Sequence, residues 1–138
     1  MDAPLLLDTC AIIWIANEQT VADGALDGLR RAHAAGEAVY VSPITAWEIG
    51  LLVARGRMNL LMTPDRWFER LLQAPGLRLA EMSPDLLIAS SFLPGSPPRD
   101  PADRIIAATA REYGYRLVTR DRPLLDYAEQ GHIQALVC

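Results

Sequence analysis

Short apolar runs alternate with longer segments along the whole chain, and the two kinds of segment have different periodicities. Five runs have the length and composition of buried strands: Leu5 to Leu7, Ala38 to Val41, Leu77 to Ala80, Leu117 to Thr119 and Ile133 to Val137. Between them, apolar residues recur at the spacing of a helix face. Because parallel neighbouring strands need long crossovers, usually helices, this alternation predicts an α/β sandwich with a mainly parallel central sheet.

Helix starts are marked by a capping side chain followed by proline, since proline lacks the N–H that the first turn leaves unpaired. Four such pairs predict four helices: Ser42-Pro43, Thr63-Pro64, Ser83-Pro84 and Asp100-Pro101. The stretch from Ser91 to Pro101 is rich in proline and predicts an irregular surface connection before the last of these helices.

Length and composition indicate one globular domain. A chain of 138 residues, with 51% hydrophobic and 22% charged residues, is long enough for one core, and we expect a single domain spanning residues 1–138. Two cysteines are too few for a disulfide framework or a cysteine-based zinc site. The amino terminus does not resemble a signal peptide, and no apolar run approaches the roughly twenty residues that cross a bilayer. We therefore expect a cytoplasmic protein without membrane attachment.

Charge narrows the possible functions. Thirteen basic residues face seventeen acidic ones, for a net charge of −4, so no overall basic field attracts nucleic acid and any such contact must be local. All the basic residues are arginine. The absence of lysine excludes the phosphate-binding loop that ends in Gly-Lys-Ser/Thr and Schiff-base catalysis.

Four acidic residues occupy positions at which a hydrophobic core usually has apolar residues. Asp8 and Asp121 each follow a predicted strand directly, at the sheet edge where open α/β folds bind ligands. Glu48 interrupts the apolar face of the helix that begins at Ser42, and Asp103 opens a similar apolar stripe. The pattern favours a cluster of four carboxylates.

Each acid also has a simpler interpretation. Asp8 and Asp121 fit helix caps or turn residues at strand-to-helix junctions, and Asp103 fits a favourable position near a helix amino terminus. Glu48 has no cap to make, although a solvated edge or an ion pair with Arg55 would account for it.

A carboxylate cluster requires compensation, since two carboxylates about 5 Å apart repel by roughly 3 kcal/mol at an effective dielectric constant near 20. Oxygen ligands suit Mg²⁺ or Mn²⁺, whereas Zn²⁺ usually recruits histidine or cysteine, and His33 and His132 lie far from every acid in sequence. Such ions lower the pKa of bound water and stabilise a departing oxygen. The pattern thus predicts metal-dependent phosphodiester hydrolysis.

Six of the thirteen arginines lie between positions 99 and 122. Guanidinium groups bind phosphate well. Four of these arginines neighbour the predicted acidic site and are candidates for substrate contact, namely Arg99, Arg104, Arg120 and Arg122. Arg111 and Arg116 fit ordinary solvated positions.

The acids lie in four segments that together resemble the PIN-domain family, and more closely a VapC-type toxin ribonuclease of a type II toxin–antitoxin system. The segments are Leu5-Leu6-Leu7-Asp8-Thr9, Ser42 to Ile49, Asp100 to Ala110 and Leu117 to Asp121. The resemblance implies a PIN-like three-layer α/β/α sandwich. It places Asp8, Glu48, Asp103 and Asp121 in the acidic metal site, with Thr9 and Thr119 as polar residues beside it that we assign to substrate binding.

The same resemblance implies activity and partners. Such proteins cleave RNA with Mg²⁺ or Mn²⁺, form homodimers and are silenced by a cognate antitoxin. Trp14, Trp47, Trp67 and the segment from Pro43 to Met62 are candidate surfaces for dimer or antitoxin. Asp100 either assists the metal or caps its helix, and we favour the cap.

Two other functions fit the acidic site. One is a PIN-like RNA-binding or scaffold domain that holds a structural ion without catalysis. The other is a structure-specific DNA nuclease, for which a chain of 138 residues lacks the usual additional DNA-holding elements.

Overall fold

Strands and helices alternate along the chain as the sequence predicts. The structure is a computed structural model that describes residues 3–17 and 23–138. The strands are β1 (Leu5–Leu7), β2 (Val39–Val41), β3 (Leu77–Leu79), β4 (Arg116–Thr119) and β5 (Gln134–Val137). The helices are α1 (Thr9–Ala16), α2 (Asp23–Ala34), α3 (Pro43–Ala54), α4 (Pro64–Leu71), α5 (Pro84–Ala89), α6 (Pro101–Tyr113) and α7 (Arg122–Glu129).

The five strands form one parallel sheet with the order β3-β2-β1-β4-β5. The central strand, β1, pairs with β2 on one side and β4 on the other, so that Leu6 lies beside both Tyr40 and Leu117. The chain changes direction across the sheet at β1, and open α/β sheets bind ligands at the carboxyl ends of strands at such a point. The fold therefore creates a crevice where β1 and β4 end.

Alternating side chains of β1 divide the core between the two faces of the sheet. Leu5 and Leu7 belong to a cluster with residues of α1 and α2, while Leu6 packs in a second cluster with Ile106 and Leu124. Helices thus cover both faces, which confirms the predicted three-layer α/β/α sandwich. Within the described part of the chain, no helix is long and apolar enough to cross a membrane.

The three tryptophans differ in exposure. Trp14 and Trp67 pack against the first core cluster, whereas Trp47 on α3 is 57% exposed. Of the three aromatic residues considered for a partner surface, Trp47 is therefore the one that the structure leaves largely uncovered.

The four predicted helix starts are observed, and three of them carry the expected side-chain cap. Ser42 accepts a hydrogen bond from the backbone N–H of Ile44, and Ser83 and Asp100 make equivalent caps at α5 and α6. Thr63 precedes α4 without a side-chain cap. The proline that follows each capping position accounts for the common starting point.

The irregular connection between α5 and α6 is held in place by side chains of α7 and the turn after it. The hydroxyl of Tyr127 donates to the carbonyl oxygen of Pro94 at 2.7 Å. The side-chain amide of Gln130 accepts from the N–H of Ser96 at 2.9 Å and donates to its carbonyl oxygen at 3.2 Å. These bonds fix a segment that has no helix or strand of its own, and so fix the start of α6.

Gly95 provides a test of this connection. Its φ is +70°, and a Cβ atom there would lie 2.4 Å from Nε2 of His132 and 2.8 Å from Oε1 of Gln130. Gly114 has a similar φ of +68° with open space around it. We expect Gly95→Ala to lower the free energy of unfolding by about 1 kcal/mol more than Gly114→Ala, because both substitutions strain the backbone and only the first displaces packed side chains.

Urea denaturation of both variants measures this difference. It should shrink when His132 is replaced by alanine. Equal losses for the two glycine substitutions would contradict the account.

Candidate active site

Asp8 is the most constrained carboxylate of the candidate site. Its backbone N–H donates to the carbonyl oxygen of Val118, which extends the pairing of β1 with β4. One carboxylate oxygen caps α1 by accepting from the N–H of Ala11 at 2.7 Å, and the other accepts from the Thr119 hydroxyl at 2.5 Å. The residue is 3% exposed. Asp8 therefore has one orientation, fixed by both strands and by a helix amino terminus.

Burial raises the pKa of Asp8 above its ordinary value, and the charge of Asp121 raises it further. The hydrogen bonds from Thr119 and Ala11 and the charge of Arg120 act in the opposite direction without cancelling the effect of burial. A negative charge at this position is thus disfavoured until a positive charge compensates it.

Thr119 joins Asp8 to Asp121. Its hydroxyl donates to Asp8 and accepts from the backbone N–H of Asp121 at 3.0 Å, and the residue is completely buried. Asp121 in turn caps α7 by accepting from the N–H of Leu124 at 3.3 Å. The buried hydroxyl of Thr119 thus orients the Asp8 carboxylate and links it to the backbone of Asp121, and its predicted contact with substrate stays a prediction.

Glu48 reaches the site from α3. The Thr9 hydroxyl donates to Oε1 of Glu48 at 2.6 Å and lies 3.0 Å from the hydroxyl of Thr45. Burial raises the pKa of Glu48, and the charges of nearby aspartates raise it further, while the bond from Thr9 opposes the change. Thr9 is buried like Thr119. Its hydroxyl faces inward and contacts a carboxylate, and its predicted contact with substrate stays a prediction.

Asp103 lies in the first turn of α6, and its backbone N–H donates to the side chain of Asp100 at 3.0 Å. Burial, followed by the charges of Asp121, Asp100, Glu48 and Asp8, raises the pKa of Asp103 to about 7. Asp100 thus makes the helix cap that the sequence favours. Its charge also acts on Asp103, so the cap lies within the electrostatic field of the site.

Cys10 shows that the four acids act on one region. Burial together with the charges of Asp8, Asp121, Glu48 and Asp103 raises the pKa of the Cys10 thiol to about 11. The sequence gives no separate reason to single out this cysteine, although its position two residues after Asp8 places it in the first turn of α1. Burial and the negative charges of its neighbours thus favour the protonated form of the Cys10 thiol.

The donor set suits a hard divalent cation. The four side chains offer carboxylate oxygens, which are the ligands preferred by Mg²⁺ and Mn²⁺. Among residues 3–17 and 23–138, no three histidine, cysteine, aspartate or glutamate side chains stand close enough together to form a complete metal-binding group. Mutual repulsion opposes closer approach of uncompensated carboxylates. The four acids share one edge of the sheet, and their role as metal ligands stays a prediction.

Arg104 donates hydrogen bonds to the backbone near the site. Its Nε donates to the carbonyl oxygen of Ser90 at 2.9 Å, and its two terminal nitrogens donate to the carbonyl oxygens of Pro98 and Ser91 at 3.2 and 3.3 Å. The guanidinium group thus ties α6 to the connection before it. Three of its five N–H groups donate to the backbone, so Arg104 supports the fold near the site, and its predicted contact with substrate stays a prediction.

The other three predicted arginines lie around the site in different settings. Arg120 stacks over the ring of Trp14 at 3.5 Å and donates from Nε to the carbonyl oxygen of Cys138 at 2.8 Å. Arg122 is exposed and pairs with an aspartate one turn along α7 at 3.1 Å. Arg99 is exposed beside Asp103, on a groove of about 480 Å³. Substrate contact by these three stays a prediction.

Comparison with known proteins agrees with the fold. The sequence model of the PIN domain matches residues 5–130. This chain therefore belongs to the PIN-domain family. It is also similar to Ribonuclease VapC22 from Mycobacterium tuberculosis (strain ATCC 25618 / H37Rv), with 35% identity over 121 residues that make up 87% of this chain and 88% of the relative. These matches confirm the resemblance that the four sequence segments indicate.

Solved structures of related complexes have the same fold. VapBC2 from Rickettsia felis, bound to a DNA fragment from its promoter, aligns with a TM-score of 0.69 and 15% identity over 96% of this chain and 97% of that one. DNA-bound VapBC from Salmonella typhimurium aligns with a TM-score of 0.62 and 19% identity over 99% and 98%. At these identities the likeness establishes the three-layer architecture.

The raised pKa of Asp103 predicts how stability depends on pH without metal. Between its ordinary value of 3.8 and about 7, the folded protein holds a proton that the unfolded chain has lost, so stability should fall as pH rises through this range. Asp103→Asn removes the charge. We expect it to raise the free energy of unfolding at pH 8 by on the order of 1 kcal/mol, a value reduced by solvent screening, with little effect at pH 4.

Thermal denaturation in a chelator at the two pH values measures the effect. Asp27→Asn, an exposed substitution on α2, serves as the control and should show no such change. An advantage of Asp103→Asn that is equal at both pH values would contradict the assignment.

Proposed function

We propose that this protein is a Mg²⁺- or Mn²⁺-dependent endoribonuclease that acts as the toxin of a toxin–antitoxin pair and hydrolyses RNA phosphodiesters with water as the nucleophile. The observation that carries the proposal is the set of four carboxylates at the carboxyl edge of the sheet, whose charges act together on Cys10, while Asp8, Glu48 and Asp121 act on Asp103. Similarity to a VapC ribonuclease supports RNA as the substrate.

Asp8, Glu48, Asp103 and Asp121 are the residues that would hold the cation. A divalent ion bound by carboxylates lowers the pKa of water and stabilises negative charge on the departing oxygen of a phosphodiester. The positive charge of a bound cation would also favour the ionised forms of the buried acids that hold it.

The chain's own contribution is orientation of the carboxylates. Thr119 and the N–H of Ala11 each occupy one oxygen of Asp8, and Thr9 occupies one oxygen of Glu48. Groups that are already oriented need little reorganisation when charge develops beside them. The buried hydroxyl groups thus hold the acids in place before any ligand arrives.

The arginines around the site are proposed to contact the phosphates of the RNA backbone. Arg99 borders the groove that opens beside Asp103, so it is the arginine best placed to meet a phosphate next to the acids. Arg120 and Arg122 flank Asp121 in the sequence and are proposed to make further phosphate contacts. With a net charge of −4, the protein depends on such local contacts to hold RNA.

Cleavage of RNA tests the proposal directly. We expect the wild-type protein to cleave a fluorescent single-stranded RNA in Mn²⁺ or Mg²⁺ and to lose activity in a chelator. Asp8→Asn and Asp103→Asn should each lower the rate by at least about 100-fold, because each removes a charge that the cation requires. Asp27→Asn, on the exposed face of α2, should retain the wild-type rate.

Circular dichroism and melting curves must show that the variants remain folded. The principal alternative is a non-catalytic RNA-binding or scaffold domain with a structural ion. It predicts RNA binding without turnover and a lower melting temperature when metal is removed, and such a result would replace the nuclease assignment.

Partners are proposed from the relatives and from the exposed surface. Structures of VapBC complexes are similar in fold to this chain, which supports a cognate antitoxin as its partner. Cys10 and Cys138 are both free thiols, consistent with action in the reducing cytoplasm.

The proposed homodimer surface is the segment from Pro43 to Met62. It contains Trp47 and a fully exposed Leu61, which are apolar side chains whose contact with water is unfavourable.

Light scattering after size-exclusion chromatography tests the homodimer. We expect the wild type to be dimeric at micromolar concentration and Trp47→Ser to raise the dissociation constant by about tenfold or more, since exposed tryptophans commonly dominate interface energies. Leu79→Ser removes another exposed apolar side chain, from the edge strand β3, and should leave the dimer unchanged. A monomeric wild type, or equal effects of both substitutions, would exclude a dimer through Trp47.

A further inference from the structure

Thr45 lies behind Glu48 on α3, and its hydroxyl is completely buried. Its Oγ1 is 3.0 Å from Oγ1 of Thr9, at the place where α1 and α3 meet. Oγ1 of Thr9 is in turn 2.6 Å from Oε1 of Glu48. Three side chains therefore form a chain of hydrogen bonds from the interior to a carboxylate of the acidic site.

The direction of this chain follows from the number of hydrogens available. A threonine hydroxyl has one hydrogen, and an ionised carboxylate accepts only. While Glu48 is ionised, the Thr9 hydroxyl therefore donates to Glu48, and Thr45 donates the bond between the two hydroxyl groups. Thr45 is the first donor of the chain, although it touches neither the carboxylate nor the opening of the site.

We propose that Thr45 is a positioning residue for the acidic site: by donating to Thr9, it holds the Thr9 hydroxyl in the orientation that fixes Oε1 of Glu48. This inference rests on the proposed function in so far as it concerns metal affinity. Hydrogen bonds in such a series strengthen one another in a buried environment. Oε2 of Glu48 makes no hydrogen bond with the described residues and is the oxygen left for a ligand.

A purely structural role for Thr45 makes a different prediction. If Thr45 only packed α1 against α3, removing its hydroxyl would lower stability without changing the site. Thr109 provides the matched control, because it is an equally buried threonine in the middle of a helix, whose hydroxyl donates to the carbonyl oxygen of Ile105 and not to the acidic site.

The test compares Thr45→Val, Thr45→Ser and Thr109→Val in two measurements. The first is the side-chain rotamer of Thr9 in the metal-free protein, from NMR scalar couplings. The second is the affinity for Mn²⁺, from isothermal titration. We expect Thr45→Val to populate a second Thr9 rotamer and to weaken Mn²⁺ binding by about 3- to 10-fold, the range of one hydrogen bond, while Thr45→Ser and Thr109→Val retain wild-type values.

A double-mutant cycle identifies the route of the effect. In a Thr9→Val background, Thr45→Val should weaken Mn²⁺ binding no further, because its influence passes through Thr9. Independent, additive losses would overturn the proposal, as would a single Thr9 rotamer in Thr45→Val. If valine prevents folding, Thr45→Ala removes the same donor. If the wild type binds no Mn²⁺, the proposed function fails, and the Thr9 rotamer alone then decides whether Thr45 positions it.

Discussion

Repulsion among carboxylates that share one sheet edge is the constraint on which the arrangement of this protein depends. The fold places Asp8 and Asp121 at the ends of adjacent parallel strands and brings Glu48 and Asp103 to them from two helices. Burial then raises the free energy of the negative charges on Asp8, Glu48 and Asp103. Such an arrangement is stable only because the surrounding backbone and hydroxyl groups compensate part of the charge.

Helix amino termini supply much of that compensation. Asp8 and Asp121 cap α1 and α7, and Asp103 lies in the first turn of α6. The positive ends of three helix dipoles therefore face the same group of acids. Capping and ligand binding are often treated as alternative explanations for an acid at a strand-to-helix junction. Here one oxygen of Asp8 caps a helix while the other accepts from Thr119 at the acidic site, so the cap is compatible with the ligand role proposed for this residue.

The sequence was sufficient to predict the architecture, because apolar runs, capping residues and prolines act over a few neighbouring positions. It also located the acids, since a charge on an apolar stripe or at a strand end is visible without coordinates. The roles of hydroxyl and guanidinium groups were less predictable. Arg104 donates to carbonyl oxygens of a connection whose path no local sequence pattern specifies. The hydrogen bond between Thr9 and Glu48 joins positions 39 residues apart. Such contacts depend on how helices pack, which is a property of the whole fold.

The connection between α5 and α6 shows that irregular backbone can be as firmly held as a helix. Tyr127, Gln130 and Arg104 bind carbonyl and amide groups at several points along it. An insertion within this stretch would separate at least one of these donors from its acceptor and shift the beginning of α6. The tolerance of length variation that surface loops generally show is therefore lost here.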